Sequence, residues 1–447
     1  MVGFMTENTS PTAAPGVSAL ASASASASAS ATASGSAPAP ATASAPAPAT
    51  ASAPAPAPAP ASAESLLTAE VLAAIHARAA ENDAHNAFFD ADLADLTAAG
   101  YLSAGVPVEL GGSGFGLPEL SRAQRLLAGA APATALAINM HQVWVSVARY
   151  LYERGDSSLD FVLRGAVAGE VFAFGVSEAG NDLVLFDSDT VAEPDGTGGY
   201  RFTGTKIFTS LSPAWSHLGT MGRDNSSPDA PKIVFGFVAR DKNVVHRDDW
   251  DTLGMRASQS RTTELHGAYA PAERVVRRLD VGPGGDPLIF GIFAAFEVLL
   301  ASVYTGIAER ALELAVKTVT TRRSKKSGRP YSDDPDIRWQ IADAGLLIDA
   351  ILPQLATIAR DFDTDAPHGA RWFAQLSGLK HRATEQARRV VDHAIRVSGG
   401  SSYFSSNELS RLYRDVLAGI FHPSDAESAH ATVASSLLGP IGAADES

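Results

Sequence analysis

Helical and strand-like patterns occupy separate, consecutive blocks of this 447-residue chain. Apolar residues recur at helical spacing through residues 64–170, and short extended runs with Gly-rich turns fill residues 171–281. Long helical patterns return at residues 285–442. A sheet of strands joined by crossover helices would interleave the two patterns instead. The order therefore predicts an α+β fold with an N-terminal helical domain, a middle β domain and a C-terminal helical domain.

Local patterns add detail to this prediction. Residues 65–78 place their apolar side chains on one helical face and predict a single helix. Residues 200–209 and 232–239 are rich in β-branched and aromatic residues and predict strands. The longest apolar stretch, residues 288–308, contains Glu297, and its helical pattern continues into charged residues. We expect it to be a buried core helix and not a membrane span.

The first 63 residues differ in composition from the rest. Residues 21–63 use only Ala, Ser, Thr, Pro and Gly, which cannot bury enough apolar surface to offset the entropy of ordering. We expect residues 1–63 to be a disordered tail. The N-terminus lacks a positively charged region followed by an apolar run, so we also expect no secretory signal and a cytoplasmic protein.

Composition argues against several classes of function. The net charge is −14 and no long basic run occurs, which argues against nucleic-acid binding. Cys is absent from the sequence, which excludes disulfides, thiolate metal ligands and a Cys nucleophile. The 11 His residues show no metal-ligand spacing, so no metal site is expected.

Five short motifs follow one another along the chain after the tail. They read Tyr101-Leu-Ser-Ala-Gly-Val-Pro-Val-Glu-Leu-Gly-Gly112, Phe174-Gly-Val-Ser-Glu-Ala-Gly180, Gly204-Thr-Lys-Ile-Phe-Thr-Ser210, Leu253-Gly-Met-Arg256, and Gly399-Gly400 followed by Leu409-Ser-Arg-Leu-Tyr-Arg-Asp415. In this order and spacing, residues 64–440 resemble the acyl-CoA dehydrogenase superfamily of flavoproteins. The resemblance implies a β-barrel-like middle domain, a C-terminal four-helix bundle and a homotetramer. It also implies that FAD, or else FMN, is held between the middle domain and the bundle.

The resemblance further implies which residues contact the ring system of the flavin. Phe174, Val176 and Ser177 would meet its pyrimidine edge through backbone groups and a hydroxyl. Phe208 would cover one face of the isoalloxazine ring. Ser210 would place a hydroxyl near flavin N5, where a hydrogen-bonding group steers the redox chemistry.

A second set of residues is implied at the phosphate end of the cofactor. Similar proteins use an Arg here, and this chain offers Arg322 or Arg323 for that role. Arg suits phosphate because its planar fork binds two oxygen atoms at once. Gly399 and Gly400 would allow the backbone to approach the diphosphate closely.

The catalytic carboxylate of the family has no direct counterpart. Acyl-CoA dehydrogenases remove an α-proton with a carboxylate while hydride passes to flavin N5. The stretch Ile420-Phe-His-Pro423 puts His422 where that carboxylate is expected. Some relatives carry the base on the first long C-terminal helix, where this chain has Phe296 followed by Glu297. The first hypothesis is therefore dehydrogenation of an acyl-CoA or related small substrate, assisted by His422 or alternatively Glu297, with an electron-transfer flavoprotein as partner.

A second branch of the same fold supplies the rival hypothesis. It consists of monooxygenases similar to dibenzothiophene monooxygenase, which take reduced flavin from a flavin reductase and form a C4a-peroxyflavin with O₂. The chain resembles them in His422, in Ser210 and in His141 on an N-terminal helix, which together could surround a dry pocket with hydrogen-bonding groups. His141 could equally be a core residue. A third hypothesis is a flavin-binding protein without catalysis.

Overall fold

The structure, a computed structural model, describes residues 61–181, 183–439 and 441. Residues 1–60, which hold most of the predicted tail, lie outside the described residues. The helices of the described part are α1 (Ala63–Leu66), α2 (Ala69–Ala84), α3 (Asp90–Ala98), α4 (Leu117–Ala130), α5 (Pro132–Tyr152), α6 (Asp160–Val167), α7 (Pro287–Thr321), α8 (Pro335–Asp363), α9 (Arg371–Ser398), α10 (Glu408–Val416) and α11 (Ala426–Leu438).

All of the described strands lie between α6 and α7. They are β1 (Phe172–Gly175), β2 (Val191–Pro194), β3 (Tyr200–Thr209), β4 (His217–Asp224), β5 (Lys232–Ala239), β6 (Val244–His246), β7 (Arg261–Ala270) and β8 (Val275–Asp280). The predicted order of helices, strands and helices is therefore confirmed, and so is the α+β class. The exact division into three domains stays a prediction.

The strands form one mixed sheet in the order β6-β7-β3-β2-β4-β5-β8, with β1 pairing in parallel with β4. Strands β3 and β7 are antiparallel, and their register shifts between Lys206 and Thr209. Such a bulge bends the strand and redirects the side chains beside it. The bulge lies where β3 ends, close to the predicted contacts Phe208 and Ser210.

The predicted helix at residues 65–78 is interrupted. Helix α1 ends at Leu66 and α2 begins at Ala69. Thr68 is extended between them, and its Oγ1 accepts a hydrogen bond from the N–H of Val71 at 3.4 Å. The apolar spacing was continuous across this point, but Thr competes for backbone N–H groups and starts a new helix.

Helix α7 is the central helix of the C-terminal part. It packs against α9 and α8 within that part and against α4 and α5 of the N-terminal part. Both α7 and α8 are long and apolar enough to cross a membrane by length and composition, but the most apolar window of α7 is 83% buried inside the fold. Its apolar length therefore covers a protein core, as the sequence predicts. Helices α8 and α9 also pack against each other, and α11 packs against α9.

Candidate active site

A cavity of about 280 Å³ opens between the sheet, helix α5 and the C-terminal helices. Its walls are mainly apolar, and the described lining residues include no Asp or Glu. The lining residues are Leu136, Met140, Phe174, Ser177, Phe208, Ser210, Trp250, Thr252, Leu253, Gly254, Met255, Ser260, Phe296, Arg414, Leu417, Ala418, Phe421, His422 and Pro423. Five predicted site residues, scattered over about 250 positions of sequence, are thus brought to one hollow: Phe174, Ser177, Phe208, Ser210 and His422.

Phe208 stands at the rim of this cavity in an unusual conformation. Its backbone φ is +56°, a left-handed value that costs a non-Gly residue free energy and is enriched at functional sites. The bulge of β3 makes this conformation possible, and the ring is left 57% exposed. Trp250 meets it edge to face with ring centroids 6.2 Å apart. Two aromatic rings thus form one side of the cavity mouth.

Three serine hydroxyls form a chain behind this aromatic side. The Oγ atoms of Ser210 and Ser260 lie 2.8 Å apart, and those of Ser260 and Ser258 are also 2.8 Å apart. All three serines are buried, while Ser210 and Ser260 also line the cavity. A hydroxyl can donate or accept, so the three serines can hydrogen-bond to one another and still offer a hydrogen bond to a bound molecule.

His422 faces the cavity from the segment between α10 and α11. Its Nε2 lies 2.8 Å from the hydroxyl oxygen of Tyr304, a fully buried residue of α7. Burial, with a further contribution from the positive charge of Lys380, lowers the pKa of His422 to about 3. The imidazole is therefore neutral near pH 7. The following helix is capped by Asp425, which accepts from the N–H of Ser428, so capping does not explain His422.

Tyr304 determines how the proton of this imidazole is placed. Burial raises the pKa of Tyr304 well above its usual value, so the phenol keeps its proton. Within the described chain its one hydrogen-bond partner is His422, so a buried phenol proton is satisfied only by donating to Nε2. The neutral ring then carries its own proton on Nδ1. His422 lines the cavity, and its Nδ1–H group is a donor that has no hydrogen-bond partner among the described residues.

Glu297 is not positioned to act as a base in the cavity. Its neighbour Phe296 lines the cavity and stacks on Phe174, with ring centroids 5.7 Å apart. One position along a helix is a rotation of about 100°, which turns Glu297 away from the cavity. Its Oε1 accepts hydrogen bonds from the N–H (3.1 Å) and hydroxyl (2.8 Å) of Ser424. The structure therefore does not support the alternative catalytic role predicted for Glu297.

His141 also lies outside the cavity lining. Its Nε2 is 2.8 Å from the carbonyl oxygen of Leu102, and its Nδ1 accepts from the N–H of Phe172 at 3.1 Å. Both ring nitrogens are thus used inside the protein, and burial lowers the pKa of His141 to about 4. The structure supports the core interpretation and does not bring His141 to the predicted site.

The predicted phosphate contacts lie apart from the cavity. Arg322 donates through Nη1 to the carbonyl oxygen of Ser398, next to Gly399, while Arg323 donates to the carbonyl oxygen of Gly328. Arg322 and Gly399 are therefore neighbours, which favours Arg322 over Arg323 for a shared role with the Gly pair. Neither Arg322 nor Gly399 nor Gly400 lines the cavity, and their contact with a cofactor stays a prediction. Val176 is buried and does not line the cavity either.

Sequence reasoning missed Tyr304 and Trp250. Tyr304 lies seven residues after Glu297 on α7, and seven residues are about two helical turns, so these two side chains share one face. This spacing was the available signal for Tyr304. Trp250 lies in an irregular segment between β6 and β7, and its approach to Phe208 depends on the bulge, which leaves no local pattern.

The cavity suits a planar aromatic cofactor. The exposed ring of Phe208 offers a flat face, Trp250 packs edge to face beside it, and the hydroxyl of Ser210 is available at one edge. Stacking on aromatic rings with one hydrogen bond at the edge is how proteins commonly orient such ring systems. No group of three or more His, Cys, Asp or Glu residues that could hold a metal ion occurs in the described chain. The residues present therefore fit a flavin.

Comparison with known proteins agrees with this geometry. Residues 298–424 match the family described as acyl-CoA dehydrogenase, C-terminal domain. The amino sugar nitrososynthase RubN8 of Streptomyces rubradiris is 29% identical over 370 residues, which cover 80% of this chain and 85% of that protein. Dibenzothiophene monooxygenase of Mycolicibacterium goodii is 27% identical over 355 residues, 73% of this chain and 82% of its own.

A solved structure extends the similarity to three dimensions. KijD3 in complex with FMN and dTDP-3-amino-2,3,6-trideoxy-4-keto-3-methyl-D-glucose superposes with a TM-score of 0.75 at 26% identity. The match covers 84% of this chain and 94% of that one. Fold, cavity and relatives together define a flavin-dependent oxidoreductase that acts on a small molecule. The chain is similar to the acyl-CoA dehydrogenase superfamily, whose C-terminal domain is matched by residues 298–424, and its cofactor is FAD or FMN.

Proposed function

We propose that this protein is a monooxygenase that uses reduced flavin and O₂ to oxygenate a nitrogen or sulfur atom of a small organic substrate. One oxygen atom would enter the substrate and the other would leave as water, with two electrons supplied by the reduced flavin. A separate flavin reductase would deliver that flavin.

The observation that carries the proposal is the hydrogen bond between Tyr304 and Nε2 of His422. It favours a neutral imidazole with its proton on Nδ1, which makes the ring a donor toward the cavity. A donor suits the stabilisation of negative charge that develops on oxygen during O₂ activation. Dehydrogenation needs a base instead, and an imidazole whose pKa lies near 3 is a weak one.

The remaining lining residues support the same choice. No described lining residue is a carboxylate that could remove the α-proton of a thioester. Phe174, Phe296 and Met140 make the interior apolar, which excludes water that would otherwise compete for activated oxygen. RubN8 is named as acting on an amino sugar and a second relative on dibenzothiophene. Those names suggest nitrogen and sulfur as the atoms to test first.

The experiment mixes the protein carrying reduced flavin with ¹⁸O₂ and a panel of amino sugars and aromatic sulfides. We expect labelled product, detected by mass spectrometry, from at least one class. Reduced flavin without protein controls for spontaneous oxidation. Bleaching of the oxidised flavin by an acyl-CoA in the absence of O₂, without any labelled product, would contradict the proposal and favour the dehydrogenase.

The contribution of His422 is tested by His422→Ala. We expect labelled product to fall on the order of 100-fold or more, because a positioned proton donor commonly contributes that much. The protein should still take up flavin, since the aromatic side of the cavity at Phe208 and Trp250 is unchanged. An unchanged rate in this variant would remove His422 from the reaction.

A further inference from the structure

The segment that carries His422 is bound by a single buried cation, Lys380. We call residues 419–424 the His422 loop. Lys380, on α9, is 1% exposed, and its Nζ donates to the carbonyl oxygens of Gly419 (3.0 Å), His422 (2.7 Å) and Ser424 (2.9 Å). An ammonium group has three protons, and here all three are given to one short loop.

A buried carboxylate holds the same loop from the opposite helix. Glu297, on α7, accepts from the N–H and the hydroxyl of Ser424, while Lys380 donates to the carbonyl oxygen of that same residue. Glu297 lies seven residues before Tyr304, so the helix that fixes the loop also carries the partner of the imidazole. Helix α9 therefore binds the loop through three backbone carbonyl groups, and α7 binds it through the N–H and the hydroxyl of Ser424.

Burying two ionisable groups is not in itself evidence of a gain in overall stability. Two buried charged groups are costly to desolvate, and well-packed apolar residues of similar volume often stabilise a core at least as well. The shift of each group reflects that cost, since burial raises the pKa of Glu297 and lowers the pKa of Lys380. What apolar residues cannot do is satisfy three carbonyl groups that converge on one point.

We propose that Lys380 and Glu297 are positioning residues for His422. They fix the His422 loop so that Nε2 stays on the hydroxyl of Tyr304 and the Nδ1 proton stays available to the cavity. Neither residue lines the cavity, so both act through the loop and not on a bound molecule. The catalytic consequence rests on the proposed function, whereas the positioning itself does not.

The positioning is tested without turnover, by the reactivity of His422 toward diethyl pyrocarbonate. This reagent acylates an unprotonated ring nitrogen, which Tyr304 covers in the native protein. Peptide mapping by mass spectrometry follows the modification of His422 in the full-length chain. We expect Lys380→Met to be modified severalfold faster. Lys317→Met, the same change at an exposed position of α7, is the matched control and should leave the rate unchanged.

Circular dichroism verifies that each variant is folded. An unchanged rate of His422 modification in folded Lys380→Met would overturn the proposal. If Lys380→Met does not fold, Lys380→Gln is subjected to the same measurement, because its shorter side chain carries two N–H groups and loses at least one of the three hydrogen bonds. An unchanged rate there would likewise count against positioning.

A double-mutant cycle tests the catalytic consequence. Lys380→Met should lower kcat by about 10- to 100-fold with little change in KM, because a small displacement of a catalytic group is costly. In the His422→Ala background the same change should have little further effect, since residues that act as one unit are not additive. Equal losses in both backgrounds would identify Lys380 as merely structural. If the wild type forms no oxygenated product, the proposed function fails, while the reactivity of His422 still decides the positioning.

Discussion

His422 and Tyr304 behave as one unit, because each satisfies a group of the other that the surrounding apolar wall cannot. The phenol has no other described partner, and the imidazole loses its directing donor without it. Five of the predicted site residues line the cavity. They could be predicted because the motifs that resemble the family fix their positions along the sequence. Tyr304 was not predicted, since its role follows from a contact between residues 118 positions apart in the chain.

The Tyr304→Phe variant separates the hydroxyl from the ring. It keeps the packing of the side chain and leaves Nε2 of His422 without its donor, so the proton of the imidazole is free to move to Nε2. We expect product formation to fall about 10- to 100-fold, the effect of losing one buried hydrogen bond of 1–3 kcal/mol. Rapid-mix measurement of labelled product is the test, and wild-type activity in this variant would contradict the fixed tautomer.

Phe208 provides a second prediction at this scale. Removing its exposed ring takes away the flat face at the cavity mouth, so Phe208→Ala should weaken flavin binding. The dissociation constant, measured by flavin fluorescence, should rise by about tenfold or more, consistent with the loss of 1–3 kcal/mol of stacking. Val245→Ala, at an exposed apolar position of β6, is the control and should bind flavin normally.

Strand β5 was predicted although it is buried on both faces, because β-branched and aromatic residues mark it. Strand β4 is buried to the same degree but was missed, because it contains two Gly residues and Thr220 is its one β-branched residue. Gly219 is required there, since a Cβ would lie 2.4 Å from the indole of Trp144. Such close approaches involve residues distant in sequence and leave no local pattern.

Helix α10 is joined to the segment before β7 by Asp415. Its Oδ1 accepts from the N–H of Met255 at 2.6 Å, and the adjoining Gly254 packs so closely that a Cβ would lie 2.3 Å from the carbonyl oxygen of Arg414. The Leu253-Gly-Met-Arg256 and Arg414-Asp415 motifs, read separately in the sequence, are therefore two halves of one contact. It brings α10 to the cavity wall at Met255.

Burial raises the pKa of Asp415 to about 6 from its ordinary 3.8. A carboxyl with a raised folded-state pKa stabilises most below its unfolded pKa, and that contribution is lost as pH rises through about 6. Asp415→Asn keeps an acceptor for Met255 and does not titrate. We expect its unfolding free energy, relative to wild type, to increase between about pH 4 and pH 7 by a few kcal/mol at most.

Urea unfolding across this pH range measures the effect of Asp415→Asn. Asp229→Asn, the same change at an exposed turn, is the matched control. A stability difference for Asp415→Asn that does not vary with pH would show that Asp415 ionises as freely in the folded chain as in the unfolded one.

The described part of the chain is organised around α7, which contacts both the N-terminal and the C-terminal helices. The segregated sequence blocks were sufficient to predict this architecture, because each block has its own period. They could not predict how the blocks pack, and that packing creates the cavity. Residues 1–60 lie outside the described residues, and their predicted disorder leads to a test on the intact protein.

Deletion of residues 1–60 should leave both flavin content and labelled-product formation unchanged. The deletion stops before Ser62, whose hydroxyl accepts from the N–H of Ser65 and caps α1. The absorption spectrum and the product assay are the measurements. A loss of either would show that the Ala/Ser/Pro-rich segment contributes to the folded enzyme.

The homotetramer expected from the family remains a prediction. On α8, Trp339 and Leu346 are 66% and 67% exposed and lie seven residues apart, on one face of the helix. We expect this face to be buried between subunits, so light scattering should give four times the 46.4 kDa chain mass. Trp339→Glu should lower that mass, whereas Val108→Glu, at an equally exposed apolar residue, should not.

The row of serines at 210, 260 and 258 has a consequence of its own. Each O–H can rotate about its C–O bond, so the direction of the whole relay can reverse while every heavy atom stays where it is. This wall of the cavity can therefore donate a hydrogen bond to one bound molecule and accept a hydrogen bond from another. A molecule whose edge gains or loses a proton during a catalytic cycle would find a matching surface at both stages.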